Sequence, residues 1–182
     1  MSFKRLLAAF AASALLPFLA HAAPITYNLN RVVGTGSVFG TITTDGTFGV
    51  LNSGNVTGWS LTINDGDGSG AFVLSNVNSS LFMSGSLFSA DADSLDFNFA
   101  GSSGLALFQN PSTGSGINWW CLEGLNSNCA GTGQGESVNR FGSPTSTHYS
   151  TSQVIATTSV PEPGTLALAG IALAGLALRR RA

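Results

Sequence analysis

From residue 25 to residue 158 the chain is a series of short apolar-alternating runs, each cut by Gly, Asn, Asp or Ser. No segment of that stretch shows a sustained 3.6-residue apolar period built from helix formers. The runs are ITYNLNRVV (25–33), SVFGTIT (37–43), TFGVL (47–51), VTGWSLTIN (56–64), AFVLSN (71–76), SLFMSG (80–85), SLDFNF (94–99), LALFQ (105–109) and INWWC (117–121). SLDFNF shows the two-residue repeat plainly: Leu95, Phe97 and Phe99 fall on one face, Asp96 and Asn98 on the other. Turn formers such as Thr44-Asp45-Gly46 and Asn64-Asp65-Gly66 lie between runs. Many short strands with turn signals this close together predict an all-β protein, an antiparallel β-sandwich, jelly-roll-like or similar. Residues 123–146 are rich in Gly, Asn and Ser and read as one long loop; residues 147–158 supply a last strand.

Charge is scarce and unevenly placed. Lys4, Arg5, Arg179, Arg180 and Arg181 sit near the ends, which leaves Arg31 and Arg140 as the only cations of residues 23–158. Against eight acids they give that stretch a formal charge of −6. A region with no lysine and that balance has no electrostatic footprint for nucleic acid, so DNA and RNA are excluded as partners.

The N-terminus has the parts of a secretory signal peptide, residues 1–22. MSFKR is a basic start, LLAAFAASALLPFLA an apolar run, and Ala20-His21-Ala22 places small residues at the recognition positions, so cleavage would leave Ala23 first. A buried N-terminal helix is the competing reading, opposed by Pro17 and by the polar sequence from Asn28. In an exported chain the two cysteines, Cys121 and Cys129, suggest a disulfide, with two free thiols as the alternative. Two thiolates alone do not make a metal site.

The C-terminus, residues 159–182, has three parts: Val160-Pro161-Glu162-Pro163, an apolar run over 166–178, and Arg179, Arg180 and Arg181. As a helix the apolar run would reach about 20 Å against a hydrocarbon core of about 30 Å, so it inserts by thinning the bilayer or by snorkelling of the arginines. The arginines hold that end in the cytoplasm by the positive-inside rule. The two prolines disfavour helix on the N-terminal side and leave an extended, protease-accessible hinge. An ordinary C-terminal anchor helix is the plain alternative.

Those three parts, in that order and behind a signal peptide, resemble the PEP-CTERM sorting signal of Gram-negative bacteria. The resemblance implies recognition by exosortase, a membrane-embedded cysteine protease, with processing near Pro161, Glu162 and Pro163. It further implies transient membrane retention and transfer to the cell surface or extracellular matrix. The central region also resembles a segment common among PEP-CTERM proteins. The matching pieces are the TTDGT turn at 43–47, the W-x-L-T-I strand at 59–63, LFQNP at 107–111 and Cys121-Leu122. That likeness implies a secreted β domain and no particular activity.

Residues for catalysis are few. His148 is the one histidine left after signal removal, so a Ser-His-Asp triad would have to use it. Asp91, Asp93 and Asp96 are close enough in sequence to offer paired carboxylates for glycoside hydrolysis, but acids near a turn are ordinarily solvated. Asp65, Asp67 and Ser69 imitate the start of a calcium loop with Gly70 at the sixth position, yet Asn76 stands where a bidentate Glu is needed, so a Gly/Asp hairpin turn is the plainer reading. Trp119 and Trp120 are adjacent and must face opposite sides of a strand; the outer one, beside Asn118, is a candidate platform for a sugar ring, and packing under a loop is its alternative. The expectation is an exported, non-enzymatic matrix or biofilm protein without cofactors. An exopolysaccharide-binding module comes second and a secreted hydrolase a distant third.

Overall fold

The computed structural model describes residues 23–114, 116–127, 129, 133–141 and 144–158. The proposed signal peptide and the entire C-terminal tail lie outside these residues. Among those described, thirteen strands form two antiparallel sheets. They are β1 (Ile25–Val33), β2 (Gly36–Thr44), β3 (Gly49–Val50), β4 (Val56–Asn64), β5 (Phe72–Ser75), β6 (Ser80–Ser84) and β7 (Phe88–Ala90). Then follow β8 (Ser94–Asn98), β9 (Leu105–Asn110), β10 (Asn118–Glu123), β11 (Gly135–Arg140), β12 (Thr145–His148) and β13 (Ser152–Thr158). The larger sheet runs β3-β7-β8-β13-β1-β2-β4-β5, the smaller β12-β11-β10-β9-β6. The all-β sandwich read from the sequence is therefore present, with a meander β9 to β12 as its smaller layer.

Chain reach requires the larger sheet to be curled. From Thr44, the end of β2, to Gly49, the start of β3, five residues span at most about 18 Å. On a flat sheet β3 would lie five strand spacings from β2, about 24 Å away. Yet Gly49 pairs with Ala90 on β7, and Leu51 N–H donates to Phe88 O at 2.9 Å. The sheet must bend around the core to bring that edge back.

The core lies between the layers and is made by the alternation itself. On β1, Tyr27, Leu29 and Val33 are buried; on β4, Leu61 and Ile63; on β8, Leu95 and Phe97. From the smaller sheet come Ala106, Phe108, Trp120, Leu122 and Val138. Aromatic rings stitch the layers together: Trp120 stacks on Phe108 with centroids 5.3 Å apart, and Phe108 meets the edge of Trp59 at 5.6 Å. The β1–β2 hairpin turns at Gly34 (φ +57°), where a Cβ would run into Thr145 Oγ1. The turn docks on the smaller sheet, with Gly34 N–H on Thr147 Oγ1 at 2.8 Å.

Three sequence expectations need correction. Residues 123–146 are not one loop, because β11 runs through the middle of them and is buried along its whole length. Its sequence, GESVNR, hides this by placing Glu136 and Arg140 on the inward face, in phase with Val138. Residues 147–158 are not one strand: β12 joins the smaller sheet, and the chain then crosses at Tyr149 to β13 in the larger. The short strand β7 was missing from the expected set.

Candidate functional site

The two arginines of residues 23–158 each organise a buried polar cluster. Arg31 lies in phase with Tyr27, Leu29 and Val33 and so points inward from β1. Its Nε and Nη2 donate to Glu136 Oε2 at 3.0 and 2.8 Å, and Nη2 also to Tyr149 Oη at 3.0 Å. Nη1 donates to Val154 O at 3.0 Å. Glu136 is fully buried, and its other oxygen takes the Trp120 indole N–H at 2.9 Å. Burial pushes the Glu136 carboxyl above its ordinary range, while Arg31 and Trp120 pull it back. Burial likewise raises the Tyr149 phenol, against the opposing pull of Arg31.

Arg140 does the same at the β4–β5 end. Its backbone N–H donates to Asp65 Oδ2 at 2.7 Å, and Nη1 to Ser69 O and Gly70 O at 3.1 and 2.6 Å. The guanidinium lies over the rings of Phe72 and Phe141, 5.4 and 5.2 Å from their centroids. Asp65 Oδ1 accepts from Asp67 N–H and Ser69 Oγ at 3.3 and 3.4 Å, and Asp67 Oδ1 from Ser69 N–H at 2.7 Å. The candidate calcium loop of Asp65, Asp67 and Ser69 is thus an Asx-closed hairpin whose acceptors face a cation of the protein itself. Among the described residues no group of three or more His, Cys, Asp or Glu side chains is placed to hold a metal ion.

Trp119 and Trp120 separate as strand geometry requires. Trp120 is completely buried between the sheets and presents no face to a sugar, which removes it as a candidate. Trp119 is half-buried on the outer face of the smaller sheet, between Gln109 on β9 and Asn139 on β11. Asn118, expected beside the outer ring, instead faces inward and accepts from Arg140 Nε at 3.4 Å. Cys121 and Cys129 form a disulfide with Cα atoms 6.3 Å apart, so the free-thiol reading falls. Glu123, fully buried, accepts the Cys129 N–H at 2.6 Å and anchors the same loop.

Of the residues considered for catalysis, Asp91 and Asp96 are brought together, with Ser94 Oγ 3.2 Å from Asp91 Oδ1 and 2.6 Å from Asp96 Oδ2, while His148 belongs to the other sheet. His148 is exposed on the edge strand β12. Asp91 closes the β7–β8 turn, with Oδ1 accepting from Asp93 N–H and Ser94 N–H at 2.8 and 2.6 Å. Those bonds hold its carboxyl below the ordinary range, the opposite of what a general acid needs. Asp96 Oδ2 is taken by Ser94 Oγ at 2.6 Å. Sequence reasoning missed the roles of Arg31, Glu136 and Arg140. The available signal was the in-phase position of Arg31 on a strand face otherwise made of core residues.

Pro161, Glu162, Pro163, Arg179, Arg180 and Arg181 lie outside the described residues, as does the apolar run 166–178. Among the described residues no helix is long and apolar enough to cross a membrane. Comparison with curated proteins and with solved structures finds no match. A family match does fall on the tail, over residues 159–181, and its description is the PEP-CTERM protein-sorting motif. Residues 159–181 are therefore a PEP-CTERM sorting signal, the address for export and membrane-associated sorting by an exosortase-type protease.

Proposed function

We propose that residues 23–158 are the non-enzymatic body of a cell-surface or extracellular-matrix protein, delivered through its tail and processed near Pro161, Glu162 and Pro163. The observation that carries this reading is the sorting motif at 159–181, directly behind a two-sheet β-sandwich. The use of the acids within that sandwich supports it. Asp65, Asp91, Asp96, Glu123 and Glu136 all accept hydrogen bonds from neighbouring turn, loop or core groups, which favours a structural role for them. Mass spectrometry of both termini of the protein taken from the cell surface tests the reading. A first residue at Ala23 and a C-terminus near the Pro-Glu-Pro are expected. Recovery of intact Met1 and Ala182 on a soluble molecule would end it.

A second reading, an exopolysaccharide-binding module, is favoured by the half-buried Trp119 ring on the outer face of the smaller sheet. It expects retardation in polysaccharide gels that is lost on Trp119→Ala.

A further inference from the structure

The larger sheet is split in its middle. β1 and β13 pair at Tyr27↔Thr158, Asn28↔Thr157 and Leu29↔Ala156, and then the ladder stops. At the same point β13's other ladder, with β8, has a register shift between Val154 and Ala156. The opening is a pocket of about 200 Å³ lined by Asn28, Asn30, Arg31 and Val154 through Thr157.

Its walls hold hydrogen-bonding capacity that the fold does not use. Among the described residues the side chains of Asn28, Asn30 and Thr157 make no hydrogen bond. Arg31 has five N–H donors. Four are spent, on Glu136 twice, Tyr149 and Val154 O, and the fifth is on Nη1, the atom already bonded to the pocket-lining Val154. Val154, half exposed, adds an apolar wall.

We propose that this pocket binds one neutral sugar residue of a polysaccharide. Two amides, a hydroxyl and a guanidinium N–H match the mixed donors and acceptors of vicinal hydroxyls, and Val154 suits a C–H face of the ring. The volume is below the roughly 300 Å³ at which drug-sized ligand sites begin, and so fits a single ring. Charge excludes an acidic sugar: Arg31 is already paired with Glu136, Asp96 lies directly across the ladder from Val154, and the domain carries −6. For the class of ligand this agrees with the exopolysaccharide reading, but the site is a different one from Trp119.

The test is frontal affinity chromatography of the full chain, solubilised in a phosphocholine detergent, on immobilised dextran, mannan, galactan and polygalacturonate. Retention is expected on at least one of the three neutral polymers. It should fall about tenfold in Asn28→Ala/Asn30→Ala, whose positions are exposed and tolerate truncation, and fall also in Thr157→Val. Absence of retention on all three neutral polymers overturns the proposal, and so does retention on polygalacturonate alone. Retention that survives Asn28→Ala/Asn30→Ala but not Trp119→Ala overturns this site and leaves the Trp119 reading standing.

Discussion

Arg31 Nη2 and Glu136 Oε2 are 2.8 Å apart, and this contact ties β1, in the middle of the larger sheet, to β11, the strand beside the edge of the smaller one. Both oxygens of the carboxylate have donors, since Oε1 takes the Trp120 N–H, so no buried acceptor of Glu136 is left unmatched. The guanidinium lies over the Tyr149 ring, 5.3 Å from its centroid, at the point where the chain crosses between the sheets. A pair buried like this gains little net energy over apolar packing, because desolvation offsets the Coulomb attraction. Its strength lies in geometry: a one-residue slip of β1 would turn Arg31 outward and leave Glu136 alone in the core.

Breaking one side of that pair should cost far more than replacing both. Arg31→Met leaves a buried, unmatched carboxylate and should destabilise the fold by about 3 kcal/mol. Arg31→Met combined with Glu136→Gln, which keeps an acceptor for the Trp120 N–H and removes the buried charge, should recover most of the loss. Chemical denaturation of the single and double variants measures both. A single variant within about 0.5 kcal/mol of the parent would mean the pair is not an internal tie.

The pH dependence of stability should have two parts of opposite sign. Asp45, Asp67 and Asp91 are held below the ordinary carboxyl range, chiefly by hydrogen bonds from Asn55, Ser69 and the Asp93 and Ser94 amides respectively. Their contribution is present above the unfolded value and is lost as pH falls through the lowered folded value. Glu136, raised by burial, acts the other way: its contribution is complete below the unfolded value and is lost as pH rises through the raised one. Melting curves across pH should therefore show Glu136→Gln removing a decline on the rising side, and Asp91→Ala weakening the acid-side loss. A Glu136→Gln profile parallel to the parent would contradict the burial effect.

The sequence showed the parts of this fold where the inner face is apolar, and hid the rest. β1 and β4 match their expected runs residue for residue, because Tyr27, Leu29, Val33, Leu61 and Ile63 carry the two-residue repeat into the core. β11 was lost because its inward positions are Glu136, Val138 and Arg140, and the partners that make those charges tolerable come from β1 and the β4–β5 loop. No local pattern can report a partner 105 positions away in the chain. Trp119 and Trp120 were legible as one inner and one outer ring, though which was which depended on the phase of β10.

At the other arginine, Asp65 serves as an acceptor for the protein. Asp65→Ala leaves the buried Arg140 N–H without its partner and should cost about 2 kcal/mol. Calcium should not restore that stability, and EDTA should leave the parent's melting temperature unchanged. A melting temperature that climbs with calcium in the parent but not in the variant would show that the loop ligates the ion.

The disulfide closes a short loop on the outer face of the smaller sheet, with a sequence separation of 8. Loop-closure entropy gives roughly 2.5 kcal/mol for a bridge of that span. Cys129→Ser should reduce stability by about that amount in denaturant and release the segment anchored by Glu123. The parent should lose a similar amount on reduction, and a reduced parent as stable as the oxidised one would contradict the estimate.

Sorting depends on chemistry at both ends of the tail, and each end can be tested separately. Glu162 is the one charge between the two prolines, and Arg179, Arg180 and Arg181 are the charges that set orientation after the apolar run. Glu162→Ala should leave export and membrane insertion intact while blocking processing, so the chain accumulates in the membrane fraction with its tail attached. Deleting residues 179–181 should act earlier, because nothing then holds the short apolar run across the bilayer, and the chain should leave the membrane unprocessed. Fractionation with mass spectrometry of the C-terminus distinguishes the two fates. Surface delivery of either variant at the parent's level would mean that the tail is read by some feature other than its glutamate and its arginines.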